Sequence, residues 1–256
     1  MSPGYGAIVR NDVRILRRDP VYAVTFVVMP IVTMLVLKGV NRAALVDEGY
    51  ASANGSEQAV SGAAVLFAFF MVGNIGFGVF REHGWNTWVR LRVSPNSGFV
   101  LLAGKVTVPL ALLAGQLAVL VAVGVNVFGL HVRGSWVAMV LVLAAFATCL
   151  ACMGLALLAV CRSVAQLNAL SNMGALVLGA IGGALAPIGT MPGWLQGVAR
   201  VTPTYWAMTG MRAVTLDEAG VADIGTSVLV LLGFAAVFGA IAAVCLRADV
   251  EKVAWA

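Results

Sequence analysis

Charged side chains are scarce in this sequence. Asp, Glu, Lys and Arg make up 11% of the 256 residues, whereas hydrophobic residues make up 61%. A soluble domain carries about 25% charged residues, so this chain has too few polar side chains to cover its surface in water. The scarcity excludes an ordinary soluble protein and predicts that lipid covers much of the surface.

Acidic residues are missing from the interiors of the long apolar runs. We expect all eleven Asp and Glu residues to lie in loops or termini, at positions 12, 19, 47, 48, 57, 82, 217, 218, 223, 249 and 251. A carrier driven by protons or sodium normally needs an ionisable group buried in the bilayer. This pattern argues against a stand-alone secondary carrier or channel, which remains the alternative function.

Catalytic, metal-binding and nucleotide-binding patterns are also missing. The chain has two histidines, His83 and His131, too few for a metal cluster or a histidine-based catalytic group. The stretch "GFVLLAGKV" at 98–106 has five residues between its glycines and valine after the lysine, whereas a P-loop needs four and then Ser or Thr. The sequence therefore predicts a chain that is not an enzyme and holds no metal or cofactor of its own.

Six apolar runs are present, at 22–40, 60–80, 100–128, 136–160, 165–188 and 224–246. A helix that crosses about 30 Å of hydrocarbon needs about 20 mostly apolar residues. The runs are continuous rather than alternating, which favours helices over a barrel. The sequence predicts an all-α polytopic membrane protein, with one transmembrane domain over residues 1–256.

The basic residues predict the orientation of these spans. Lys and Arg concentrate in cytoplasmic loops. With the amino terminus inside, all but five of the 16 basic residues are cytoplasmic, and both termini are inside; the five are Lys38, Arg42, Arg133, Arg200 and Arg212. Because the charges are spread over separate loops, nucleic acid is not an expected partner. We expect a multi-pass protein of a cell membrane, such as a bacterial plasma membrane, in contact with membrane lipids.

Residues 1–20 form a predicted amphipathic helix. At about 100° per residue, one arc carries Tyr5, Ile8, Val9, Val13, Ile15 and Leu16, and the opposite arc carries Arg10, Arg14, Arg17 and Arg18. Such a helix lies along the inner headgroups. Its arginines face either water or a partner protein.

The segment 189–223 is apolar but is interrupted by Arg200 and Arg212. The eleven residues between these arginines are too few to cross a bilayer. We therefore predict two short helices that lie at the outer surface or re-enter the membrane. Pro192 suits the first turn of one and Pro203 the start of the other.

Uncharged polar residues occur within the spans. Asn168 and Asn172 are four residues apart and share a helix face, and Asn74 lies on the second span. Such amides either form hydrogen bonds between helices or line a polar cavity. The pattern leaves both interpretations open.

Two stretches resemble a known family. They are "REHGWNTWVRLRVSP" at 81–95, followed by "AGK", and "IGGALAPIGTMPGWLQGVARVTPTYWAMTGMR" at 181–212. Both are similar to motifs of the membrane subunits of type-2 ABC permeases, which include daunorubicin-resistance-like drug exporters. Asn86 stands where that family usually has glycine.

The resemblance implies a fold like that of type V ABC exporters, and a function as the permease subunit of an ATP-driven exporter of an amphipathic or hydrophobic compound, such as a drug, an antibiotic or a lipid. It implies that loop 81–98 docks on a separate ATP-binding subunit, present in two copies, which holds ATP and Mg. The implied docking residues are Glu82, Trp85, Thr87, Trp88, Arg90, Leu91 and Ser94. A simple charged loop is the alternative, but tryptophan and arginine are typical of interfaces.

The resemblance also implies a second permease chain, identical or homologous, with the substrate moving along spans two and five. Asn74, Asn168 and Asn172 are then candidate path residues. The implied outer gate segment contains Met191, Pro192, Trp194, Pro203 and Trp206.

Overall fold

The computed structural model describes residues 3–18, 21–85 and 98–245. The regular elements in this part of the chain are helices. They are α1 (Pro3–Arg18), α2 (Val21–Asp47), α3 (Ser56–Phe70), α4 (Val72–Gly84), α5 (Gly98–Asn126), α6 (Trp136–Val160), α7 (Val164–Ile181), α8 (Gly193–Ala199), α9 (Pro203–Leu216) and α10 (Gly225–Cys245), with a 3-10 turn at Ile188–Thr190.

Six helical segments are long and apolar enough to cross a membrane: Val24–Asp47, Ser56–Glu82, Val100–Asn126, Trp136–Val160, Val164–Ile181 and Gly225–Cys245. They match the six predicted runs in order. The prediction of an all-α protein with six spans is confirmed. The orientation of these spans in the membrane stays a prediction.

The second span is divided where a single run was predicted. Helices α3 and α4 meet at Met71, whose N–H donates to the carbonyl of Ala68 at 3.1 Å. The donor and the acceptor are three residues apart, as in a 3-10 turn, which is wound more tightly than an α-helical turn. Helix α4 packs closely against α7 at two of its glycines. A β-carbon added at Gly73 or Gly76 would lie 3.0 Å from side chains of α7.

The fifth span ends at Ile181, whereas the apolar run predicted its end at residue 188. The reason is a Schellman cap, which uses a glycine in the left-handed region just past the helix. Gly183 has φ +87°, the N–H of Ala184 donates to Gly179 O at 2.9 Å, and the N–H of Gly183 donates to Ala180 O at 3.3 Å. Hydropathy does not reveal this cap, because the residues that follow it are also apolar.

A hydrogen bond connects α2 to α5 close to a proline in α2. Pro30 lies inside α2, and a proline within a helix leaves the carbonyl four residues earlier without its partner. That carbonyl, on Phe26, accepts a hydrogen bond of 2.9 Å from Nε2 of Gln116 in α5. Gln116 therefore has a structural role between two spans.

The core of the bundle is formed by α3, α6 and α9. Phe69 of α3 and Phe146 of α6 are fully buried, with ring centroids 5.7 Å apart. Helix α9 contributes Met208 and Met211, which are also buried. This helix packs against α3, α6 and α10. That it lies at the outer surface or re-enters the membrane stays a prediction. Helices α2, α7 and α10 are mostly exposed and present their apolar side chains to lipid or to another chain.

Candidate functional site

Four charged residues meet where α1, α4 and α5 come together, and we call Asp12, Arg81, Glu82 and Lys105 the inner cluster. Lys105 Nζ lies 2.9 Å from Asp12 Oδ1 and 2.7 Å from Glu82 Oε1. Arg81 Nη2 lies 3.6 Å from the same Asp12 oxygen. The lysine is 3% exposed and each carboxylate side chain 8%. Two positive and two negative charges are thus held together, and three of the four side chains are buried, whereas Arg81 is 22% exposed.

Helix α1 supplies Asp12 to the inner cluster because its apolar arc packs against α5. Ile8 lies against Gly104, where an added β-carbon would be 2.9 Å from its side chain. The hydroxyl of Tyr5 is hydrogen-bonded to Thr107 Oγ1 at 2.8 Å. The arginines of α1 are exposed, as the amphipathic pattern predicts, but part of the apolar arc faces another helix rather than lipid.

The expectation that every acidic residue lies in a loop or a terminus is wrong for Glu57 and Glu82, which are buried and lie within the second membrane-spanning segment. Asp12 lies in the amino-terminal helix, as expected, but it is also buried. Each carboxylate is buried with a partner that offsets the cost of removing a charge from water. Asp12 and Glu82 pair with Lys105. Glu57, in the first turn of α3, accepts a hydrogen bond from the N–H of Gly55 at 3.1 Å, where the helix dipole favours negative charge.

Two of the predicted docking residues lie in the described part of the chain. Trp85 follows α4 and is 55% exposed, and the guanidinium of Arg81 lies 5.2 Å from its ring centroid. Glu82, which the sequence suggested for the rim of a docking surface, instead has its carboxylate buried in the inner cluster. The other five, Thr87, Trp88, Arg90, Leu91 and Ser94, lie outside the described residues.

The structure brings two of the three predicted path residues to one cavity. Asn74 of α4 and Asn168 of α7 both line a cavity of about 460 Å³ beside the inner cluster. Asn172 lies one turn further along α7 and does not line it. Both side chains on α7 are exposed, so in a membrane they face lipid, an aqueous path or another chain.

The five predicted outer gate residues lie on one continuous segment from the 3-10 turn to α9. Met191 follows the turn, Pro192 is the residue immediately before α8, and Trp194 is 72% exposed. Pro203 is the first residue of α9, as predicted. Trp206 Nε1 donates a hydrogen bond of 2.8 Å to Arg200 O, which closes the turn between the two helices.

A second ion pair joins the end of α2 to α9, and we call Glu48, Tyr50, Arg212 and Asp217 the outer clasp. Arg212 Nη2 lies 2.6 Å from Glu48 Oε2, and its guanidinium is 5.9 Å from the Tyr50 ring centroid. The Tyr50 hydroxyl donates to Asp217 Oδ1 at 2.9 Å. Burial, and then the bond to Asp217, raises the pKa of the Tyr50 phenol. The outer clasp fixes α9 to the end of the first span.

Replacing Arg212 with methionine is expected to lower the free energy of unfolding by about 2 kcal/mol, because it leaves the partly buried Glu48 carboxylate without its strongest donor. Arg133→Met is the control: its guanidinium is exposed and bonds Ser52 Oγ, so the expected change is within about 0.5 kcal/mol. Thermal unfolding of the purified chain measures both. Equal melting temperatures for the two variants would show that the clasp adds no stability.

The sequence did not predict the inner cluster or the outer clasp, but it contains an indication of the inner cluster. Asp12 lies in the middle of the apolar arc of α1, where an acid is out of place unless another helix pairs with it. Lys105 is likewise the sole charged residue of α5. Glu48 and Arg212 are 164 positions apart, and no local pattern connects them.

Within residues 3–18, 21–85 and 98–245, no group of three or more His, Cys, Asp or Glu residues is arranged to hold a metal ion. The inner cluster combines its two carboxylates with two cations, and a lysine ammonium already occupies the place between the acids. Its arrangement suits ion pairing between helices rather than metal ligation.

Comparison with known proteins agrees with this architecture. A family model described as "ABC-2 type transporter" matches residues 4–216. A comparison with curated proteins gave no match. The matched region begins in α1, contains the first five membrane-spanning helices and the inner cluster, and ends at the last residue of α9. The chain belongs to the ABC-2 type transporter family and is a multi-pass membrane component of an ABC transporter.

Proposed function

We propose that the chain is the permease subunit of an ATP-driven exporter that moves an amphipathic or hydrophobic compound, such as a drug, an antibiotic or a lipid, out of the cell. A separate ATP-binding subunit, in two copies, binds ATP and Mg, and a second permease chain, identical or homologous, completes the membrane part. The observation that carries this proposal is the base of loop 81–98, where an exposed tryptophan stands directly beside a buried ionic connection.

The buried connection can carry movement from the loop into the membrane. The pair Glu82–Lys105 ties the end of α4 to the first turns of α5, on either side of the loop. Asp12 ties both to α1. A subunit that binds the loop would therefore move three helices together, and one of them carries Asn74.

The exposed amides of α7 support a second chain beside this face. An amide without a partner is costly in hydrocarbon, and Asn168 and Asn172 are both exposed on the single chain. A second permease against α7, or a water-filled path between the two, would solvate them. The closely packed α4–α7 pair then lies along the path.

The test is transport by the purified chain together with the ATP-binding subunit encoded nearest to its gene, in inside-out proteoliposomes. We expect a stable complex and uptake of labelled hydrophobic drugs that needs ATP and stops with a non-hydrolysable analogue. A complex that does not form, with no ATP-dependent uptake, would overturn the proposal. Uptake by the chain alone, driven by a pH gradient, would favour the secondary carrier, for which the buried carboxylates of Asp12 and Glu82 are the supporting observation.

Trp85→Ala is expected to weaken binding of the ATP-binding subunit by about 30-fold, since a buried interface tryptophan is often worth 2 kcal/mol or more. Folding of the chain should be unchanged because the side chain is exposed. Trp194→Ala is the matched control, as it removes an exposed tryptophan from the predicted outer segment. Pull-down and ATPase stimulation measure the effect, and equal binding by both variants would contradict docking at Trp85.

Asn172→Leu is expected to change the rate or the selectivity of transport while leaving the melting temperature of the single chain unchanged, because the amide is exposed on that chain. A structural hydrogen bond would instead cost about 0.6 kcal/mol on average and leave the transported compounds the same. Met173→Leu, at a 65% exposed neighbour on the same helix, is the control. Thermal unfolding and transport of a drug panel distinguish the two results.

A further inference from the structure

Helix α1 crosses α5 near one end of a membrane-spanning segment. Its contacts extend from Tyr5, which is hydrogen-bonded to Thr107, to Asp12, which pairs with Lys105. These two contacts are seven residues apart on α1 but only two apart on α5, so α1 runs across α5 rather than along it. The contacted part of α5 lies about 8–10 Å past the start of the span at Val100. A helix that crosses a span at this depth has the geometry of an amphipathic helix in the plane of the membrane.

Three rows of side chains run along α1, and each row is offset from the next by one residue, or about 100° around the helix. The first row faces the bundle and consists of Ile8, Asp12 and Ile15. The second row is apolar and half-exposed and consists of Val9, Val13 and Leu16. The third row is exposed and consists of Arg10, Arg14 and Arg17, with Arg18 beside it; we call these four residues the arginine row.

The arginine row has no counter-charge in the part of the chain that the structure describes. The sole acidic residue of α1 is Asp12, which is buried and paired with Lys105. None of the four arginines forms an ion pair with another described residue. From Arg10 to Arg18 the row is about 12 Å long, and like charges at this spacing on a helix repel one another. A surface that carries negative charge would remove this repulsion.

The apolar row beside the arginines indicates what kind of surface carries the negative charge. A soluble protein would meet the arginines and leave the half-exposed Val9 and Val13 in water. A membrane offers hydrocarbon to the apolar row and phosphate to the arginines. An arginine can keep its stem against acyl chains while its guanidinium reaches the headgroups, and the guanidinium fork matches the geometry of phosphate. The two adjacent rows together favour a phospholipid.

We propose that the arginine row of α1 binds the headgroups of anionic phospholipids in the leaflet where α1 lies. The headgroup oxygens accept hydrogen bonds from the guanidinium groups, and the acyl chains pack against the apolar row. The helix that supplies Asp12 to the inner cluster thereby gains a second anchor, on the face opposite α5. The proposal does not rest on the exporter function, because it needs neither ATP nor a second subunit.

The test is the affinity of the full chain for single lipid molecules, measured by native mass spectrometry in a neutral detergent. Phosphatidylglycerol carries a net negative charge, whereas the phosphate of phosphatidylcholine is neutralised by its choline. We expect the chain to bind phosphatidylglycerol at least about 25-fold more tightly, the usual effect of two cations near an anionic surface. The preference should fall when salt is raised from about 50 to about 500 mM, because salt screens exposed charges. Equal affinity for the two lipids, or a preference that does not respond to salt, would overturn the proposal.

Two variants show whether the bound lipid lies at the arginine row. Arg14→Gln should raise the Kd for phosphatidylglycerol by about fivefold, and Arg10→Gln combined with Arg14→Gln should raise it by about 25-fold. Both side chains are exposed, so the double variant should melt at the same temperature as the original chain in phosphatidylcholine nanodiscs. Arg162→Gln, which removes an exposed arginine between α6 and α7, is the matched control and should leave the Kd unchanged. An unchanged Kd in the double variant would overturn the proposal.

An acidic surface of the ATP-binding subunit is the other occupant that these charges allow, and the double variant distinguishes the two. If it binds that subunit less tightly in phosphatidylcholine nanodiscs but keeps its affinity for phosphatidylglycerol, the arginine row binds protein and the proposal is overturned. If it loses the lipid and binds the subunit normally, the proposal is supported. Lipid binding at the arginine row without ATP-dependent transport would overturn the proposed exporter function and leave this proposal standing.

Discussion

Lys105→Met is expected to destabilise the chain by about 3–5 kcal/mol, because removing one partner of a buried ion pair leaves uncompensated charge. Here the loss is larger than for a simple pair. Lys105 Nζ is the group between Asp12 and Glu82, and without it the two buried carboxylates repel each other. In a chain of this size, about 2–4 °C are lost per kcal/mol, so the melting temperature should fall by about 10 °C.

The control for Lys105→Met is Arg10→Met, which removes a cation from the exposed arc of α1 and should change stability by no more than about 0.5 kcal/mol. A rescue variant that also carries Asp12→Asn and Glu82→Gln removes both repelling carboxylates and leaves Arg81, whose side chain is 22% exposed, as the remaining charge of the inner cluster, so it should recover most of the lost stability. Thermal unfolding in nanodiscs measures all three. If Lys105→Met melts within the error of Arg10→Met, the inner cluster does not hold α1, α4 and α5 together.

Gly62→Ala is the second substitution with a large expected effect. A β-carbon at Gly62 would overlap the carbonyl oxygen of Ala184 and lie 2.9 Å from its carbonyl carbon. The backbone of α3 therefore touches the turn after α7 directly, and Gln58 Nε2 donates to Gly183 O at 2.7 Å beside this contact. Because the obstacle is backbone, the two elements must separate, and we expect a loss of about 3 kcal/mol.

The matched control is Gly39→Ala on α2, where an added β-carbon meets nothing within 4 Å. Alanine favours a helix over glycine by up to about 1 kcal/mol, so this variant should be as stable as the original chain or more so. Opposite signs for the same chemical change would confirm the close approach of α3 to the turn. A neutral Gly62→Ala would show that the turn can move away without cost.

The sequence predicted what depends on local composition. Six spans follow from run length and hydropathy, and Pro203 at the start of α9 follows from its fixed backbone angle. The predicted end of the fifth span was wrong because the cap at Gly183 depends on backbone conformation, which hydropathy does not report. The sequence did not predict that α9 is buried, because Arg212 was interpreted as a surface residue, whereas it pairs with Glu48.

The candidate site was predicted in part for a similar reason. Asn74 and Asn168 were selected as rare amides in apolar helices, and such rarity can be seen in a sequence. That they line one cavity, whereas Asn172 does not, depends on how α4 and α7 pack. The role of Glu82 was missed because its partner, Lys105, lies beyond a loop and its neighbour Asp12 lies on another helix.

The hydrogen bond between Gln116 and the carbonyl of Phe26 bears on how the chain is made. When the first span enters the bilayer during synthesis, this carbonyl does not yet have the hydrogen bond that Gln116 donates in the folded chain, and such a bond matters most in hydrocarbon, where water cannot replace it. Its donor is on α5, which leaves the ribosome about 90 residues later, roughly 5–20 seconds at ordinary rates of synthesis. During that interval the nascent first span is better accommodated beside the insertion machinery than free in lipid. We therefore expect spans one and three to leave the insertase as a pair.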